Sequence, residues 1–242
     1  MTQNIGHRGA SGYEPENTLI SFKKAIELNV DMIELDVHLT KDKEVIVLHD
    51  ETLERTTNGE GDVRKKYLFE IKNYRTKEKQ QEVPTLQEVI DEVKGRVEIN
   101  IEIKLEDTAV EVMKIVKRNN IEKDVVISSN HPKSLQVVKR MNSNVRTALL
   151  YYATKTDLGL PILVFFSRIA FPYVRKLIFK RLEIAQAEYL NLTYYLANKK
   201  FVTKLHELGY KVNVWTVNEV EKMKELKQDG IDGIITNYPD RM

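Results

Sequence analysis

Carboxylates and imidazoles interrupt a part of the chain that otherwise has the composition of buried strands. Residues 31–50 read DMIELDVHLTKDKEVIVLHD, and the side chains in it that could do chemistry are Glu34, Asp36, His38, His49 and Asp50. Burying an unpaired charge costs several kcal/mol, so such a group normally has an ionic partner, a bound cation or water beside it. The stretch therefore predicts a polar site within a packed sheet.

Three carboxylates form a candidate set of metal ligands. Glu34 and Asp36 are two residues apart and so share one face of a strand, and Glu102 lies near the end of the later apolar run VEINIEIK. Any one of them alone could be an ion-pair partner of Arg8 or Lys104. Together they offer only oxygen ligands, which suit Mg²⁺, Ca²⁺ or Mn²⁺, and the chain has no cysteine for a softer metal. We predict that these three carboxylates share one divalent cation.

His7 and His49 are two of the five histidines and are candidates for proton transfer. A single histidine is more often structural. Two that converge on a carboxylate cluster can act as general acid and base, because imidazole titrates near neutral pH. Arg8 and Lys104 would add the positive charge that an anionic substrate requires. This set indicates metal-assisted cleavage of a phosphate ester, with the roles of acid and base unassigned.

Short apolar runs that alternate with amphipathic helical patterns must position these residues. Eight runs are candidate strands, at residues 4–7, 32–37, 97–104, 125–129, 145–152, 187–192, 210–215 and 232–236. This alternation is typical of parallel sheets made of β/α units, and at this length it predicts an α/β fold of the (β/α)8 TIM barrel class. An open doubly wound sheet is the alternative. In a barrel, His7, Glu34 and Glu102 would meet at the C-terminal ends of the strands.

The second strand is followed by TKDKEVIVLHD, which leaves no room for a helix. This segment predicts a β-hairpin that turns at Lys41–Asp42. A turn centred there would place Glu34 opposite His49, on the face that also carries Asp36. We assign His38 to the other face and to a structural role.

The polar residues 51–84 are too numerous for an ordinary loop. We interpret them as a small inserted subdomain over the top of the barrel. The whole chain, residues 1–242, is then a single domain, because α/β barrels commonly form one domain at this length.

Composition favours a globular protein and excludes several classes. The chain is 42% hydrophobic and 31% charged, and its net charge of +2 offers no general basis for binding nucleic acid. The lack of cysteine excludes disulfides and thiol nucleophiles. The first residues show no signal-peptide pattern, and no uncharged apolar run is long enough for a transmembrane helix. We expect a cytoplasmic protein.

Four motifs follow one another along the chain: HRGASGYEPENT at 7–18, IELDVHLTKDKEVIVLHDETLERTTNGEG at 33–61, IEIK at 101–104 and VWTVN at 214–218. Together they resemble the glycerophosphodiester phosphodiesterase family, in its bacterial, cytoplasmic type. The resemblance extends over nearly the whole chain and is densest in the first two motifs. It implies a barrel with an insertion after the HD strand, and a divalent cation bound by Glu34, Asp36 and Glu102.

The resemblance also implies roles for the other candidate residues. His7 and His49 would be the acid–base pair of the family. Arg8 and Lys104 would contact phosphate. Trp215 would line the substrate pocket, although a lone tryptophan in a strand is more often part of a core.

The motif PENT has two interpretations. It matches the family, which places Glu16 near the site. Pro15, Asn17 and Thr18 also precede an apolar-periodic stretch, as residues at helix N-termini do. We interpret Asn17 mainly as a helix cap.

The function that the resemblance implies is metal-dependent hydrolysis of glycerophosphodiesters to glycerol 3-phosphate and an alcohol. The partner would be a small-molecule substrate, and the attacking oxygen would be either water or the glycerol 2-hydroxyl. One alternative is a phosphodiesterase for lysophospholipids, of the lysophospholipase D kind. A non-catalytic barrel that serves as a binding module ranks last.

The segment 158–182, LGLPILVFFSRIAFPYVRKLIFKRL, is apolar and carries five basic residues with no acidic one. An apolar stripe at helical spacing leaves the basic residues to the other face; its members are Val174, Leu177, Ile178 and Leu182. Such helices can lie in an anionic membrane surface. We predict a lid over the substrate mouth that can touch membrane. The competing interpretation is an ordinary core helix.

Overall fold

The apolar runs form the strands of a closed barrel in the computed structural model, which describes residues 1–151 and 160–242, with the side chains of 1–151 and 172–242. The strands of this part of the chain are β1 (Gln3–Gly6), β2 (Met32–Leu39), β3 (Val45–Val47), β4 (Glu98–Ile103), β5 (Val125–Ser129), β6 (Arg146–Tyr151), β7 (Tyr189–Thr193), β8 (Lys211–Trp215) and β9 (Gly233–Thr236). β1 pairs in parallel with both β2 and β9, and the order β9-β8-β7-β6-β5-β4-β2 completes the ring. Eight parallel strands thus close a TIM barrel, with β3 outside the ring. The predicted barrel is confirmed, and the open sheet is wrong.

Helices surround the barrel and pack their apolar faces against it. In the described part of the chain they are α1 (Leu19–Glu27), α2 (Leu68–Ile71), α3 (Leu86–Val93), α4 (Thr108–Arg118), α5 (Pro132–Met141), α6 (Leu160–Ala185), α7 (Lys199–Glu207) and α8 (Val220–Gln228). Local sequence sets their starts: Thr85 and Glu88 form a capping box at α3, and the Asn198 side chain caps α7. The main core lies between these helices and the outer face of the strands.

The inner face of the barrel changes character along the strands. A small apolar cluster that includes Met32, Val126 and Tyr189 fills its lower part. Two residues further along the same strands stand Glu34, Ser128 and Asn191, each almost fully buried. Because side chains two apart share a strand face, these polar residues form the next layer up. The barrel is therefore apolar at its base and polar toward the C-terminal ends of its strands.

The hairpin formed by β2 and β3 is one residue out of the predicted register. The observed pairs include Val37 with Val47 and Leu39 with Val45. The turn occupies residues 40–44, where Lys43 adopts a left-handed conformation with φ of 65°. This longer turn replaces the predicted two-residue turn, and a shift of one residue moves side chains to the other face. The prediction that Glu34 lies opposite His49 is wrong, because His49 follows the end of β3.

Apolar residues of the segment 51–84 pack with Ile46 and Leu48 in a cluster separate from the main core. Its members include Leu53, Val63 and Ile71, and short bridges join Thr52 to Asp62 and Thr57 to Thr76. We propose that the segment is a small subdomain within a single domain of residues 1–242. Its separate packing supports this division.

Helix α6 contains most of the predicted lid segment. Residues 158–159, and the side chains before 172, lie outside the described residues. In the described end of the apolar stripe, Ile178 and Leu182 are fully buried in the main core and Val174 packs against it, whereas Leu177 is 39% exposed. This end of the stripe therefore stabilises the barrel. Among the described residues, no helix combines the length and apolar character needed to cross a bilayer.

Candidate active site

A cavity of about 790 Å³ lies at the C-terminal ends of the strands. Predicted site residues that line it are His7, Arg8, His49, Glu102, Lys104 and Trp215. Glu34 and Asp36 are more deeply buried, with 4% and 1% of their surface exposed. The structure therefore brings all of the predicted site residues to one end of the barrel.

Three carboxylates converge beneath this cavity. Glu34, Asp36 and Glu102 each offer an oxygen, and these oxygens lie within 4.8 Å of one another. Burial and the neighbouring charges of Asp36 and Glu102 raise the pKa of Glu34 well above its usual value. A hard divalent cation takes oxygen ligands and would relieve this repulsion. The donor set fits the metal that the sequence predicts.

Two cationic side chains offset part of the negative charge. Lys104 Nζ lies 2.7 Å from Asp36 Oδ1 and 2.6 Å from Glu102 Oε1, and Arg8 Nε lies 3.2 Å from Asp36 Oδ2. Burial opposes ionisation of Asp36, but Lys104 and Arg8 hold its pKa well below the usual value. Burial also opposes the charge on Lys104, yet the two carboxylates raise its pKa overall. Three carboxylates face two cations, so the cluster has one excess negative charge only when Glu34 is ionised.

A tight turn after β1 delivers His7 and Arg8 to the site. Arg8 and Gly9 both have positive φ, of 52° and 86°. A Cβ atom on Gly9 would lie 2.4 Å from Ser21 Oγ, so the close approach to α1 requires glycine here. The turned backbone directs the Arg8 N–H to Glu34 Oε2, 3.0 Å away. The HRG sequence thus makes one main-chain contact with the carboxylate cluster and presents two side chains to the cavity.

The His7 imidazole is held by a neutral partner. Its Nδ1 donates a hydrogen bond of 2.6 Å to Asn237 Oδ1, which also accepts a bond from Ser11 Oγ. The opposite nitrogen, Nε2, lies 4.0 Å from Glu34 Oε2. Burial, with a contribution from Arg8, lowers the pKa of His7 to about 3. His7 is therefore neutral near pH 7, and its Nε2 can accept a proton.

The His49 imidazole has a charged partner instead. Its Nδ1 lies 2.6 Å from Asp50 Oδ1. Its backbone carbonyl accepts a hydrogen bond of 3.0 Å from His38 Nε2. A carboxylate beside an imidazole orients the ring and stabilises positive charge on it during proton transfer. This arrangement suits a group that takes part in proton transfer.

The assignment of His38 to the opposite face of β2 is wrong. Side chains two residues apart share a face, so His38 lies on the same side as Glu34 and Asp36. It is 1% exposed, lines the cavity, and supports the backbone of His49. Burial lowers the pKa of His38.

Asn17 belongs to the site, and its interpretation as mainly a helix cap is wrong. Its Nδ2 donates to Asp36 Oδ2 at 2.9 Å, and its Oδ1 accepts from the Asp36 N–H at 3.3 Å. The cap of α1 is Thr18, whose hydroxyl accepts a bond from the Ser21 N–H. Glu16 lies near the site as the PENT motif indicates, since it accepts a bond of 2.8 Å from Arg8 Nη1.

Asn237 and Asp50 were not assigned to the predicted site, although the position of each in the sequence pointed toward it. Asn237 directly follows β9, where the rule that sites form at the C-terminal ends of barrel strands applies. Asp50 is adjacent to His49 in sequence. Neither residue type alone is diagnostic, so only the three-dimensional contact distinguishes them from surface residues.

The upper wall of the cavity is partly apolar. Trp215 lies at the end of β8, where its Nε1 donates a hydrogen bond of 3.2 Å to the Asn191 carbonyl. Leu105 and Leu150 line the same cavity. This part of the lining could contact carbon atoms of a substrate, while Glu102 and the histidines supply polar groups.

Comparison with known proteins identifies one family. Residues 7–241 match the model of the glycerophosphoryl diester phosphodiesterase family. A glycerophosphodiester phosphodiesterase of Caldanaerobacter subterraneus subsp. tengcongensis is 36% identical, over 98% of this chain and 95% of that protein. A lysophospholipase D of Homo sapiens is 27% identical, over 100% of this chain and 85% of that protein.

A solved structure has the same fold. It is a phosphodiesterase of Oleispira antarctica in complex with the product sn-glycerol-3-phosphate. It superposes with a TM-score of 0.84 at 25% identity, covering 100% of this chain and 95% of that one. The family and the barrel are thus supported by sequence and by structure.

Proposed function

The chain belongs to the glycerophosphodiester phosphodiesterase family and is a phosphodiester hydrolase, and from this premise we propose that it cleaves glycerophosphodiesters to glycerol 3-phosphate and an alcohol with the help of a divalent cation. One observation carries the proposal. Two cationic side chains and two differently partnered histidines line a single cavity, and three converging carboxylates lie at its base. That set can bind a phosphodiester and move protons on either side of its phosphorus.

The metal would be held by Glu34, Asp36 and Glu102, the only cluster of this kind among the described residues. When bound, Mg²⁺, Ca²⁺ or Mn²⁺ would neutralise phosphate charge and stabilise the charge that develops at phosphorus. Arg8 and Lys104 would contribute further positive charge toward the phosphate oxygens, because both line the cavity beside the carboxylates.

His7 would act as the general base. Its Nδ1 proton is committed to Asn237, so Nε2 can take a proton from the attacking oxygen. The same geometry serves water and the glycerol 2-hydroxyl alike. Because burial lowers the pKa of His7, the ring stays neutral at working pH and is ready to accept the proton.

His49 would act as the general acid. Asp50 orients its ring through Nδ1, which directs Nε2 away from Asp50 for donation to the leaving alkoxide. An alkoxide is a poor leaving group unless it is protonated as the bond to phosphorus breaks. The acid is therefore needed most for aliphatic alcohols.

The direct test is release of the headgroup alcohol from a panel of glycerophosphodiesters and lysophospholipids, accompanied by glycerol 3-phosphate from the former and by acyl-glycerol 3-phosphate from the latter. The expected result is turnover that stops with chelator and returns with added Mg²⁺, Ca²⁺ or Mn²⁺. Absence of turnover for every glycerophosphodiester, with each metal supplied, would refute the proposal.

Lysophospholipids are the second candidate substrates. The similarity to a human lysophospholipase D and the apolar wall formed by Trp215, Leu105 and Leu150 favour them. In the panel, faster turnover of lysophospholipids than of their deacylated counterparts would select this alternative. A non-catalytic binding barrel finds no support, because no predicted site residue is missing.

Membrane contact through 158–182 is a further proposal. Tyr173 is 74% exposed, and Lys176 and Lys180 are exposed beside it. Wild type and a variant with both lysines changed to glutamine should differ in cosedimentation with anionic vesicles. Equal, negligible binding would leave α6 as a core helix only. The cytoplasmic location stays a prediction.

A further inference from the structure

Arg55, in the inserted segment, joins two carboxylates that belong to different parts of the site. Its Nη2 and Nη1 donate to Glu16 Oε1 and Oε2 at 2.6 and 3.0 Å. The same guanidinium pairs through Nε with Asp50 and donates from Nη2 to Asp50 Oδ1 at 3.2 Å. One side chain thus makes two hydrogen bonds to Glu16 and two to Asp50.

Each of these carboxylates holds a residue with a proposed role. Asp50 Oδ1 lies 2.6 Å from His49 Nδ1, and Glu16 Oε1 accepts a bond of 2.8 Å from Arg8 Nη1. Arg55 itself does not line the main cavity. Arg55 therefore acts on His49 and Arg8 only through the carboxylates that hold them, Asp50 and Glu16.

The charges around Arg55 suit this arrangement. Burial opposes ionisation of Glu16, but hydrogen bonds from Arg55 and the charge of Arg8 lower its pKa. Burial likewise opposes ionisation of Asp50, and bonds from Arg55 and His49 lower its pKa. Both carboxylates are thus ionised in the folded protein and accept bonds from two partners each.

We propose that Arg55 is a positioning residue that couples the two arms of the site, by aligning His49 through Asp50 and Arg8 through Glu16. The inference rests on the proposed function. Arg55 would make the inserted segment 51–84 part of the catalytic apparatus. Arginine is required because its planar group donates in several fixed directions at once, whereas a lysine ammonium cannot form the same fork.

Two single variants separate the contact of Asp50 with His49 from the contact of Glu16 with Arg8. Asp50→Asn should lower kcat for diesters with an alkyl leaving group and spare the p-nitrophenyl diester of glycerol 3-phosphate, whose leaving group needs no proton. Glu16→Gln should instead weaken inhibition by glycerol 3-phosphate, because Arg8 loses its anchor. Arg55→Gln should show both effects, with kcat for alkyl diesters falling up to about 100-fold.

The matched control is Arg64→Gln. Arg64 comes from the same inserted segment and pairs with Asp107, outside the site. This control should change neither the leaving-group dependence nor product inhibition. Arg55→Lys should recover only part of the loss, since it restores charge without the fork. The double variant Asp50→Asn/Arg55→Gln should be little slower on alkyl diesters than Asp50→Asn alone, as expected for residues that act through one contact.

The outcomes are distinct. The inference is overturned if Arg55→Gln behaves like Arg64→Gln. It is also overturned if Arg55→Gln loses activity equally on alkyl and p-nitrophenyl diesters while product inhibition is unchanged. If Arg55→Gln fails to fold, the Asp50→Asn and Glu16→Gln variants carry the test, and identical profiles for these two overturn it. A wild-type enzyme that cleaves neither diester overturns the proposed function itself.

Discussion

The two histidines of the site differ in almost everything except their side chain. His7 follows the first barrel strand, is 17% exposed in its side chain, and binds the neutral amide of Asn237. His49 follows the strand outside the ring, is 34% exposed, and binds the carboxylate of Asp50. The buried setting beside a neutral amide keeps the His7 imidazole unprotonated, as the proposed base must be, whereas Asp50 orients the His49 ring through Nδ1. The proposed division into base and acid therefore rests on the partner of each imidazole and not on the residue type.

The largest effect should come from removing what both histidines depend on. Glu34→Gln, Asp36→Asn or Glu102→Gln should lower kcat by about 10⁴-fold or more, because several kcal/mol of charge stabilisation at phosphorus is lost. The loss should be the same for alkyl and p-nitrophenyl diesters. Activity assays and metal titration by calorimetry check this. Full turnover by rigorously metal-stripped enzyme would contradict it.

The next effect separates the histidines. His7→Ala and His49→Ala should each lower kcat by about 10²–10⁴-fold, the usual contribution of a general acid or base. A p-nitrophenyl leaving group should rescue His49→Ala and leave His7→Ala inactive. If the p-nitrophenyl substrate rescued His7→Ala instead, His7 would be the acid and His49 the base. Both variants should still bind metal, which calorimetry can verify.

A third test makes the setting of His7 resemble that of His49. Asn237→Asp would place a carboxylate at Nδ1, which favours the protonated ring and raises the pKa of His7. The acid limb of the kcat/KM profile should therefore move to higher pH, by about 1 to 3 units. Ser11→Ala removes the other bond to Asn237 and serves as the control. An acid limb that stays in place would contradict the assignment of His7 as the base.

The last effect concerns stability rather than turnover. His7 has a pKa of about 3 when folded, against 6.5 for an exposed imidazole, so between these pH values the unfolded chain binds a proton that the folded one does not. This contribution to the free energy of unfolding is present above pH 6.5 and is lost as pH falls, by at most about 1.4 kcal/mol per pH unit. The free energy of unfolding, measured by denaturant melts across this pH range, should fall more steeply with decreasing pH for wild type than for His7→Gln. Parallel curves would contradict the burial of a neutral ring.

The barrel could be predicted because its determinants are local. The apolar run 125–129 coincides with β5, and the run 232–236 contains the whole of β9. The strand-end rule placed Glu34 and Glu102 together, as the structure does. The hairpin register could not be predicted in the same way. It depends on Lys43 adopting a left-handed conformation, which a lysine rarely signals.

The supporting residues were harder to predict because their partners are remote in sequence. Arg55 meets Glu16 only through the path of the inserted segment, which has no regular periodicity. Asn17 has a plausible local role as a cap, and that local interpretation concealed its bond to Asp36. Family motifs indicate which residues matter, but contact geometry is needed to say what each one holds.

The contact between His7 and Asn237 joins residues 230 positions apart, across the seam where β1 meets β9. A chain emerges from the ribosome from its N-terminus, so His7 appears 230 residues before its amide partner. Glu34, Asp36 and Glu102 lie on β2 and β4, which pair with each other without β9, whereas the contact of the imidazole with Asn237 needs β9 in place. The pairing that closes the barrel is therefore also the event that gives the His7 imidazole its partner.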